Sequence, residues 1–408
     1  MEILFASGHL PAAQGRQAGA RHSFHICRHL STRHRVHLLA FATTSELEHI
    51  DRRDMALYAS WEVVPIERVD RTLGALSGLH LPLTVSARKS ARYRERLCQI
   101  VKEASVDAVI LDHTGMFQYA TDIPERVARV GSAHDIMTQA WLRRAAGAKN
   151  SVTRVLLGAE ASRMRRWEAR ALTSVDLTLV LSEKDRNMIE QLQPAARAVV
   201  IDLWVSQIDC ADRGRHRSKN LVFWGALDRM ENIDAVRWAT REILPIVRRS
   251  VPDVKLYIAG NRGECLAPEF AGRDDVVITG YVADVSELMS RMDVALVPLR
   301  FGAGVKAKTL ECMSAGLPVV TTSVGAEGID EGSSAGLLVS DSAEEIAAKA
   351  VALLSNPEEA RDRGMLAAEF VRRNHNFAAR MTLAEKAITD AVERRCSREL
   401  VGRNYLWK

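Results

Sequence analysis

The chain has 408 residues, of which 47% are hydrophobic, 26% charged and only 5% aromatic, and its formal net charge is +5. This length exceeds one typical domain and predicts two domains of about 150–200 residues each. The scarcity of aromatic residues argues against a stacking surface for single-stranded nucleic acid, so no nucleic-acid partner is predicted. The six cysteines stand far apart without a CxxC pair, which predicts reduced thiols rather than disulfides or a metal site.

The first half of the chain alternates short apolar runs with helical segments, beginning at once with a predicted strand at 2–7. Apolar residues at helical spacing predict a helix over 18–30, and a basic amphipathic helix is predicted over 88–104. Strands that alternate with helices predict a parallel sheet with right-handed crossovers. The further strands are predicted at 36–41, 62–66, 107–111, 129–133 and 175–181.

A basic region lies between residues 143 and 170, where eight Lys or Arg residues stand against two acidic residues. Residues 1–200 as a whole carry 28 Lys and Arg against 21 Asp and Glu. Such helices are typical of contact with an anionic membrane surface or an acidic ligand, and a solvated helix face explains the same pattern equally well. No window approaches the apolar length of a membrane-spanning helix. We therefore expect a cytoplasmic protein, with peripheral contact at the inner membrane face as a hypothesis.

The second half repeats the alternation after a polar stretch at 208–219, which has no periodicity and is the predicted linker. We predict an N-terminal domain over 1–207, a second domain over 208–375, and a C-terminal helix and tail over 376–408. The predicted fold class is α/β, with two Rossmann-like doubly wound domains and a ligand cleft between them. In this half, strands are predicted at 220–224, 255–259, 276–279, 293–297 and 318–322, and helices at 234–247, 343–354, 357–373 and 378–394.

The most informative segment follows the predicted strand at 293–297 and enters a helix. Gly302 and Gly304 let the backbone approach a ligand closely, and Lys306 and Lys308 follow them. A helix N-terminus at the carboxyl end of a parallel strand is a common phosphate site. Glu311, three residues beyond Lys308, is placed to accept hydrogen bonds from ribose hydroxyls. Ordinary charges on a surface helix are the alternative interpretation.

This segment, PLRFGAGVKAKTLECMSAGLPVV at 298–320, resembles the donor-binding signature of family 4 glycosyltransferases, which have the GT-B fold. Four more segments are similar to that family in the same order, so the resemblance covers most of residues 1–375, and it is strongest to members associated with exopolysaccharide synthesis. They are GHLPAAQGRQAGAR at 8–21, WEARALTSVDLTLVLSEKD at 167–185, NLVFWGALDRMENIDAVRW at 220–238, and ILPIVRR with LYIAG at 243–260.

The resemblance implies a retaining, metal-independent transfer of a sugar from a nucleotide-diphosphate donor, with no cofactor besides that substrate. It also implies a glycan, a lipid-linked molecule or a protein as the acceptor, in polysaccharide or glycoconjugate assembly. On the same resemblance, residues 1–207 are expected to bind the acceptor and residues 208–375 the nucleotide sugar, with residues 376–408 packing back toward the first domain. The implied catalytic residues are His134, Lys306 and Lys308. The implied donor-binding residues are Gly225, Arg229, Gly302, Ala303, Gly304, Val305 and Glu311, and the implied acceptor or phosphate loop comprises Gly15, Arg16, Gly19 and His113.

Three positions depart from the family pattern. Ala303 stands where the first glutamate of the family's Glu-x7-Glu motif is expected, and Glu311 is the second. Ala226 and Glu231 occupy the places of an arginine and a lysine, which leaves Arg229 as the nearest substitute cation. The diphosphate is therefore expected to depend on Lys306, Lys308 and Arg229.

Other functions remain open on the sequence. A nucleotide-sugar epimerase or a phosphorylase shares the fold, and the missing residues would also suit a non-catalytic nucleotide-sugar-binding protein. For His134 and His113, a structural histidine is the alternative to a ligand contact. Walker, GxSxG and HExxH patterns are absent from the sequence, and so is an Asp-x-Asp pattern after a strand.

Overall fold

The computed structural model describes residues 1–13, 18–48, 50–66, 81–148, 150–210, 218–329 and 336–405. The chain divides into two compact units: an N-terminal unit of residues 1–201 and 378–408, and a second unit of residues 202–377. The division falls earlier than the predicted boundary between 207 and 208. The final helix belongs with the N-terminal unit.

The N-terminal unit contains a parallel sheet whose strands lie in the order β3-β2-β1-β4-β5-β6-β7. Ser7 of β1 pairs with Asp112 of β4, and Asp112 pairs with Ser132 of β5, so the carboxyl ends of these central strands are aligned. β7 was not predicted because three residues are too short to show periodicity. The strands are β1 Glu2–Ser7, β2 Arg35–Ala42, β3 Ser60–Pro65, β4 Ala108–Asp112, β5 Ala128–Ala133, β6 Leu177–Val180 and β7 Ala198–Val200.

Helices connect these strands in the manner of a doubly wound sheet. Ser90 begins the helix predicted at 88–104, since its hydroxyl accepts a hydrogen bond from the backbone N–H of Tyr93 and satisfies a donor that the first turn leaves open. Among the described residues up to 201, the α-helices are α1 Ala18–Leu30, α2 Thr44–Leu47, α3 Arg52–Met55, α4 Leu83–Ser86, α5 Ala91–Glu103, α6 Met137–Ala146, α7 Ser151–Thr173 and α8 Glu183–Leu192, and Thr114–Asp122 forms a 3₁₀ helix.

The core of the N-terminal unit lies between this sheet and its helices. Phe41 stacks on Tyr93 with ring centroids 4.3 Å apart, and both rings are buried. The Tyr93 hydroxyl donates a 2.8 Å hydrogen bond to the carbonyl of Leu39, so the buried phenol is satisfied by the strand it covers. This packing ties α5 to β2 beneath the carboxyl end of the sheet.

The second unit contains another parallel sheet, in the order β10-β9-β8-β11-β12-β13. β8 and β11 are neighbours, so the loops that follow them leave the sheet side by side. β13 was missed for the same reason as β7. The strands are β8 Asn220–Trp224, β9 Lys255–Ala259, β10 Val276–Gly280, β11 Val294–Val297, β12 Val319–Thr321 and β13 Leu337–Val339.

The helix predicted at 234–247 is longer and is interrupted. α9 runs from Met230 to Trp238, a π-helical turn follows at Ala239–Ile243, and α10 spans Leu244–Ser250. Pro245 has no backbone N–H and its ring crowds the preceding turn, which explains the wider turn. The remaining α-helices of this unit are α11 Val285–Ser290, α12 Ala307–Ser314, α13 Ala343–Ser355 and α14 Pro357–Asn374, with 3₁₀ turns at Gly263–Cys265 and Ala267–Phe270.

The last helix, α15, spans Phe377–Tyr405 and packs against the N-terminal unit. Arg395 forms a 2.7 Å ion pair with Asp176, which precedes β6. The carboxylate of Glu385 lies 3.1 Å from Nε2 of His29, near the end of α1, and 3.0 Å from Nε2 of His34, just beyond that helix. The helix extends well past the predicted end at residue 394.

Candidate functional site

The glycine loop, residues 298–306, joins β11 to α12 in the second unit. Gly302 and Gly304 have φ angles of 134° and 70°, a region that side chains disfavour, so glycine is required at both. α12 begins at Ala307, and no side chain caps its first turn. The backbone N–H groups of this turn and the positive end of the helix dipole suit an anion. Ala303 and Val305 lie within the loop and are partly buried.

Lys306 precedes the helix and is turned into the protein. Its Nζ donates to the carbonyl of Gly304 and lies 3.3 Å from Oε2 of Glu327, and Lys306 and Glu327 are each 8% exposed. The predicted phosphate cation is thus held in an ion pair with a residue that the sequence patterns did not single out.

Lys308 lies in the first turn of α12 and reaches the loop that follows β8. Its Nζ donates to Oδ1 of Asn232 and lies 5.5 Å from the ring centroid of Phe223. A Cβ atom on Gly225 would come within 3.2 Å of this Nζ, so the glycine leaves room for the lysine. Burial is the main cause that lowers the pKa of Lys308, to about 7.

Asn232 also fixes the loop after β8, since its side-chain amide donates a 2.6 Å hydrogen bond to the carbonyl of Ala226. The structure therefore brings Gly225 and Lys308 together, although they come from different strand–helix units. Arg229, predicted to be a substitute cation, is exposed and lies 3.5 Å from Glu231.

Glu311, on the same helix as Lys308, is held by an aromatic side chain. The indole Nε1 of Trp224, the last residue of β8, donates a 2.7 Å hydrogen bond to its Oε2. Both residues are only partly buried. The sequence did not single out Trp224, and the only signal was an aromatic residue immediately before Gly225.

The N-terminal unit holds a second cluster, centred on Asp112 at the carboxyl end of β4. Its side chain is fully buried, and Oδ1 lies 2.8 Å from Nε2 of His134, which follows β5. Ser7 and Ser23 donate to Oδ2 at 3.0 and 2.7 Å. Asp112 was not predicted, since a carboxylate at the end of an apolar run gives no signal by itself.

Charge within this cluster is set by burial and by the Asp112–His134 pair. Burial opposes ionisation of Asp112, but the adjacent imidazolium of His134 outweighs it and holds the pKa of the carboxyl well below its usual range. Burial likewise lowers the pKa of His134, and the Asp112 carboxylate reverses this and raises it above its ordinary value. The pair is therefore ionised, with His134 as its cation.

Three more imidazoles surround His134, with ring centroids 5.6–6.0 Å from its own. Burial lowers the pKa of His9, His22 and His113, to about 3 for His22. His134 is thus the charged ring among neutral ones. His113 has a φ angle of 81°, an uncommon backbone conformation that recurs at functional sites.

The first loop of the N-terminal unit is described only in part. Gly15 and Arg16 lie outside the described residues. Gly19 lies in α1, and a Cβ atom there would come within 3.1 Å of Nδ1 of His134, so this glycine allows the helix to approach the imidazole. Gly19 and His113, predicted for the acceptor or phosphate loop, therefore lie beside His134, predicted to be catalytic.

The predicted basic region forms α6 and α7. Val152, Val155 and Leu156 share one face of α7 and are 65–70% exposed, and Leu142 of α6 is 54% exposed. The arginines of α7 that the structure leaves exposed are Arg154, Arg165, Arg166 and Arg170. Val152, Val155 and Leu156, together with these four arginines, form an amphipathic surface that we call the α7 surface.

No helix in the described ranges is both long and apolar enough to cross a membrane. Among the same residues, no group of three or more His, Cys, Asp or Glu side chains is arranged to hold a metal ion.

Comparison with known proteins identifies the domain around the glycine loop. Residues 218–356 match the family described as Glycosyl transferases group 1. An uncharacterised 44.6 kDa protein in the cps region of Klebsiella pneumoniae is 33% identical over 119 residues. That match covers 27% of this chain and spans only 30% of the length of the relative.

Solved structures of similar fold cover nearly the whole chain. HepE of Anabaena, in complex with UDP, has a TM-score of 0.66 at 15% identity, over 96% of this chain and 100% of its own. A variant of S. aureus TarM, bound to UDP, has a TM-score of 0.67 at 10% identity, over 95% and 100%. WaaG, a glycosyltransferase involved in lipopolysaccharide biosynthesis, has a TM-score of 0.59 at 16% identity, over 95% and 98%. The predicted GT-B fold class is confirmed.

Proposed function

We propose that this chain, which carries a Glycosyl transferases group 1 domain in a GT-B fold, is a glycosyltransferase. It moves a sugar from a nucleotide-diphosphate donor to an acceptor in polysaccharide or glycoconjugate biosynthesis. The observation that carries the proposal is the convergence of the glycine loop, Lys308 and Glu311 where β8 and β11 end. Catalysis of this reaction requires fixed positive groups that meet the charge developing on the departing diphosphate.

Lys308 is the residue proposed to stabilise the negative charge that develops on the departing diphosphate. It reaches the loop after β8, where Ala226 stands in place of one cation, and Glu231 in the first turn of α9 stands in place of another. Gly225 lacks the Cβ atom that would come within 3.2 Å of Nζ. Lys308 is partly buried, and an ammonium in such a place interacts more strongly with phosphate than a fully exposed one because less water screens it. Glu311, oriented by its hydrogen bond from Trp224, is proposed to accept hydrogen bonds from the ribose hydroxyls of the donor.

For Lys306 we propose a role other than the direct diphosphate contact that the sequence predicts. Its ammonium is already occupied by Glu327 and by the Gly304 carbonyl. We therefore place it among the residues that shape the glycine loop, and the direct phosphate contacts are assigned to Lys308 and to the backbone N–H groups of the loop.

We propose that the acceptor binds at the carboxyl end of the sheet in the N-terminal unit. His134 carries positive charge because Asp112 pairs with it, so it can donate a hydrogen bond to a sugar or acceptor oxygen. Asp112 fixes its Nε2 side, which leaves the Nδ1 side, near Gly19, to meet the ligand.

Donor and acceptor classes follow from the comparisons as starting points for assay. The structures of similar fold include HepE with UDP-glucose and TarM with UDP and alpha-GlcNAc-glycerol, and the Klebsiella pneumoniae relative is a protein in the cps region. UDP-sugars are therefore the first donors to test, with glycan or lipid-linked acceptors from a capsular or exopolysaccharide system.

Transfer is proposed to retain the anomeric configuration and to need neither a metal nor a cofactor. The protein is proposed to work on the cytoplasmic side of the membrane, with the α7 surface in contact with anionic lipid. NMR analysis of the product anomer and assays with excess EDTA test the first two statements directly.

A donor screen tests the function as a whole. Isothermal titration against a panel of nucleotide sugars should give binding to at least one, and UDP release should then depend on added acceptor. Conversion of the donor to another nucleotide sugar in the absence of acceptor would identify an epimerase. Formation of a sugar 1-phosphate from glycan and inorganic phosphate would identify a phosphorylase. Binding without any turnover would leave a nucleotide-sugar-binding protein.

A further inference from the structure

A buried carboxylate beside the glycine loop, Glu327, has no part in the reaction as proposed above. It lies in the segment 322–329, which follows β12, and is 8% exposed. Its Oε2 lies 3.3 Å from Nζ of Lys306, which is equally buried. Burying a charged pair away from water is costly, and a buried charge left without its partner is costlier still.

The segment that carries Glu327 is fixed from several directions. The carbonyl of Gly325 accepts a 2.9 Å hydrogen bond from the Thr309 hydroxyl of α12, and the backbone N–H of Gly325 donates a 3.0 Å hydrogen bond to Oγ1 of Thr322. A Cβ atom on Gly325 would lie 2.0 Å from Oγ1 of Thr321, so only glycine fits between the segment and the strand. Glu327 is therefore held in place independently of Lys306.

Contacts run from this fixed segment into the glycine loop. Glu327 holds Lys306, and Lys306 donates to the carbonyl of Gly304 in the loop itself. Gly304 has a φ angle of 70°, so its orientation depends on contacts rather than on a preferred backbone conformation. The lysine thus connects a rigid support to the most adaptable backbone of the site.

We propose that Glu327 is a positioning residue of the donor site, a role that rests on the proposed glycosyltransferase function. Through Lys306 it holds the glycine loop in the conformation that presents backbone N–H groups to the donor diphosphate. It also supplies a carboxylate to support the loop that carries Ala303. A fixed loop binds the donor more tightly because less conformational freedom is lost on binding.

The test measures donor affinity in the full chain, by isothermal titration with the nucleotide sugar that the parent protein binds. Glu327→Gln should weaken donor binding at least tenfold, and Lys306→Met should do the same. The double variant Lys306→Met/Glu327→Met should bind no more weakly than the worse single variant, because both changes break one chain of contacts. The KM for the donor should rise more than kcat falls.

Asp275→Asn serves as the matched control. Asp275 is a buried carboxylate in the same unit, paired with Arg273 at 2.7 Å, and it precedes β10 at the amino end of the sheet. It should lower the melting temperature without changing donor affinity. Should Glu327→Gln not fold, the double variant, which leaves no buried charge unpaired, decides the question.

Two results would overturn the inference. If Lys306 met the diphosphate directly and Glu327 only neutralised it, Glu327→Gln would leave donor binding unchanged or tighten it. Parental affinity in the double variant would equally exclude a positioning role. If the parent itself binds no nucleotide sugar, the proposed function fails first, and that outcome is seen before any variant is made.

Discussion

The indole Nε1 of Trp224 donates a 2.7 Å hydrogen bond to Oε2 of Glu311, joining the last residue of β8 to α12. The bond fixes the position of one carboxylate oxygen of Glu311. Because the acceptor is ionised, the bond is of the stronger, charge-assisted kind. If Glu311 accepts hydrogen bonds from the ribose hydroxyls, its hydrogen bond from Trp224 contributes to donor affinity by orienting the carboxylate.

Trp224→Phe should therefore weaken donor binding about tenfold, equivalent to about 1.4 kcal/mol, while the ring continues to fill its space. The preference for a donor with an intact ribose over a 2′-deoxy donor should fall as well. Trp238→Phe is the control, since the Trp238 indole donates to Glu242 at 3.0 Å in the same unit. Equal donor affinity in both variants would remove Trp224 from the site.

The sequence predicted the two sheets, apart from the short strands β7 and β13, and it predicted the glycine loop. Strand and helix periodicity, and glycines at the carboxyl ends of strands, are local signals that each segment carries by itself. The Lys308 and Glu311 positions followed from the same loop. The π-helical turn at Ala239–Ile243 was missed because a single proline inside a helical pattern does not reveal how the helix will adjust.

Contacts between distant segments could not be predicted in this way. Asp112 owes its importance to partners from β1, α1 and the end of β5, which only the folded sheet brings to it. Lys306 has the sequence pattern of an exposed phosphate cation, and only its contact with Glu327 shows that its charge is already paired.

Lys308→Ala should raise the barrier to sugar transfer by about 2–4 kcal/mol, the usual loss when a group that stabilises leaving-group charge is removed. The change should appear mainly in kcat, measured with saturating donor and acceptor. Lys349→Ala is the control, because Lys349 pairs with Glu345 on the surface of α13. Activity within twofold of the parent would exclude Lys308 from the mechanism.

Donor binding should also depend on pH through Lys308. Burial lowers its pKa to about 7, so the free protein loses this positive charge as the pH rises through that value. A bound diphosphate favours the charged form, so binding takes up a proton, and donor affinity should fall between about pH 7 and pH 9. Titrations in buffers of different ionisation enthalpy measure the proton directly. The pH dependence should be absent in Lys308→Ala, and its persistence there would assign it to another group.

Asp112→Asn should shift the ionisation of His134. The Asp112 carboxylate raises the pKa of His134 against the opposing effect of burial, so without that charge the pKa should fall below its ordinary value of 6.5. The alkaline limb of the pH–activity profile should then move to lower pH. Asp122→Asn, which removes a surface partner of Arg94, is the control. An unchanged profile would show that the activity does not depend on a charged His134.

The Asp112–His134 pair should also affect stability in a defined pH window. The pKa of Asp112 is lowered on folding, so its contribution is present above about pH 4 and is lost in acid. The pKa of His134 is raised, so its contribution is complete below about pH 6.5 and is lost as the pH rises through the folded value. The destabilisation of Asp112→Asn, measured by denaturant unfolding, should be largest between these limits. An equal loss at every pH would show that the pair is not ionised.

The α7 surface should bind vesicles that contain anionic phospholipid and should bind neutral vesicles poorly. Val155 and Leu156 are 70% and 65% exposed, and inserting them into the interface removes apolar area from water while the flanking arginines meet the headgroups. Val155→Asp/Leu156→Asp should weaken co-sedimentation at least tenfold, and Arg165→Glu/Arg166→Glu should reduce its dependence on anionic lipid. Met365→Asp/Leu366→Asp is the matched control, because these residues are also exposed, at 56% and 53%, but lie on α14 of the second unit. Binding that is insensitive to anionic lipid and unaffected by the α7 variants would identify the region as a solvated helix face.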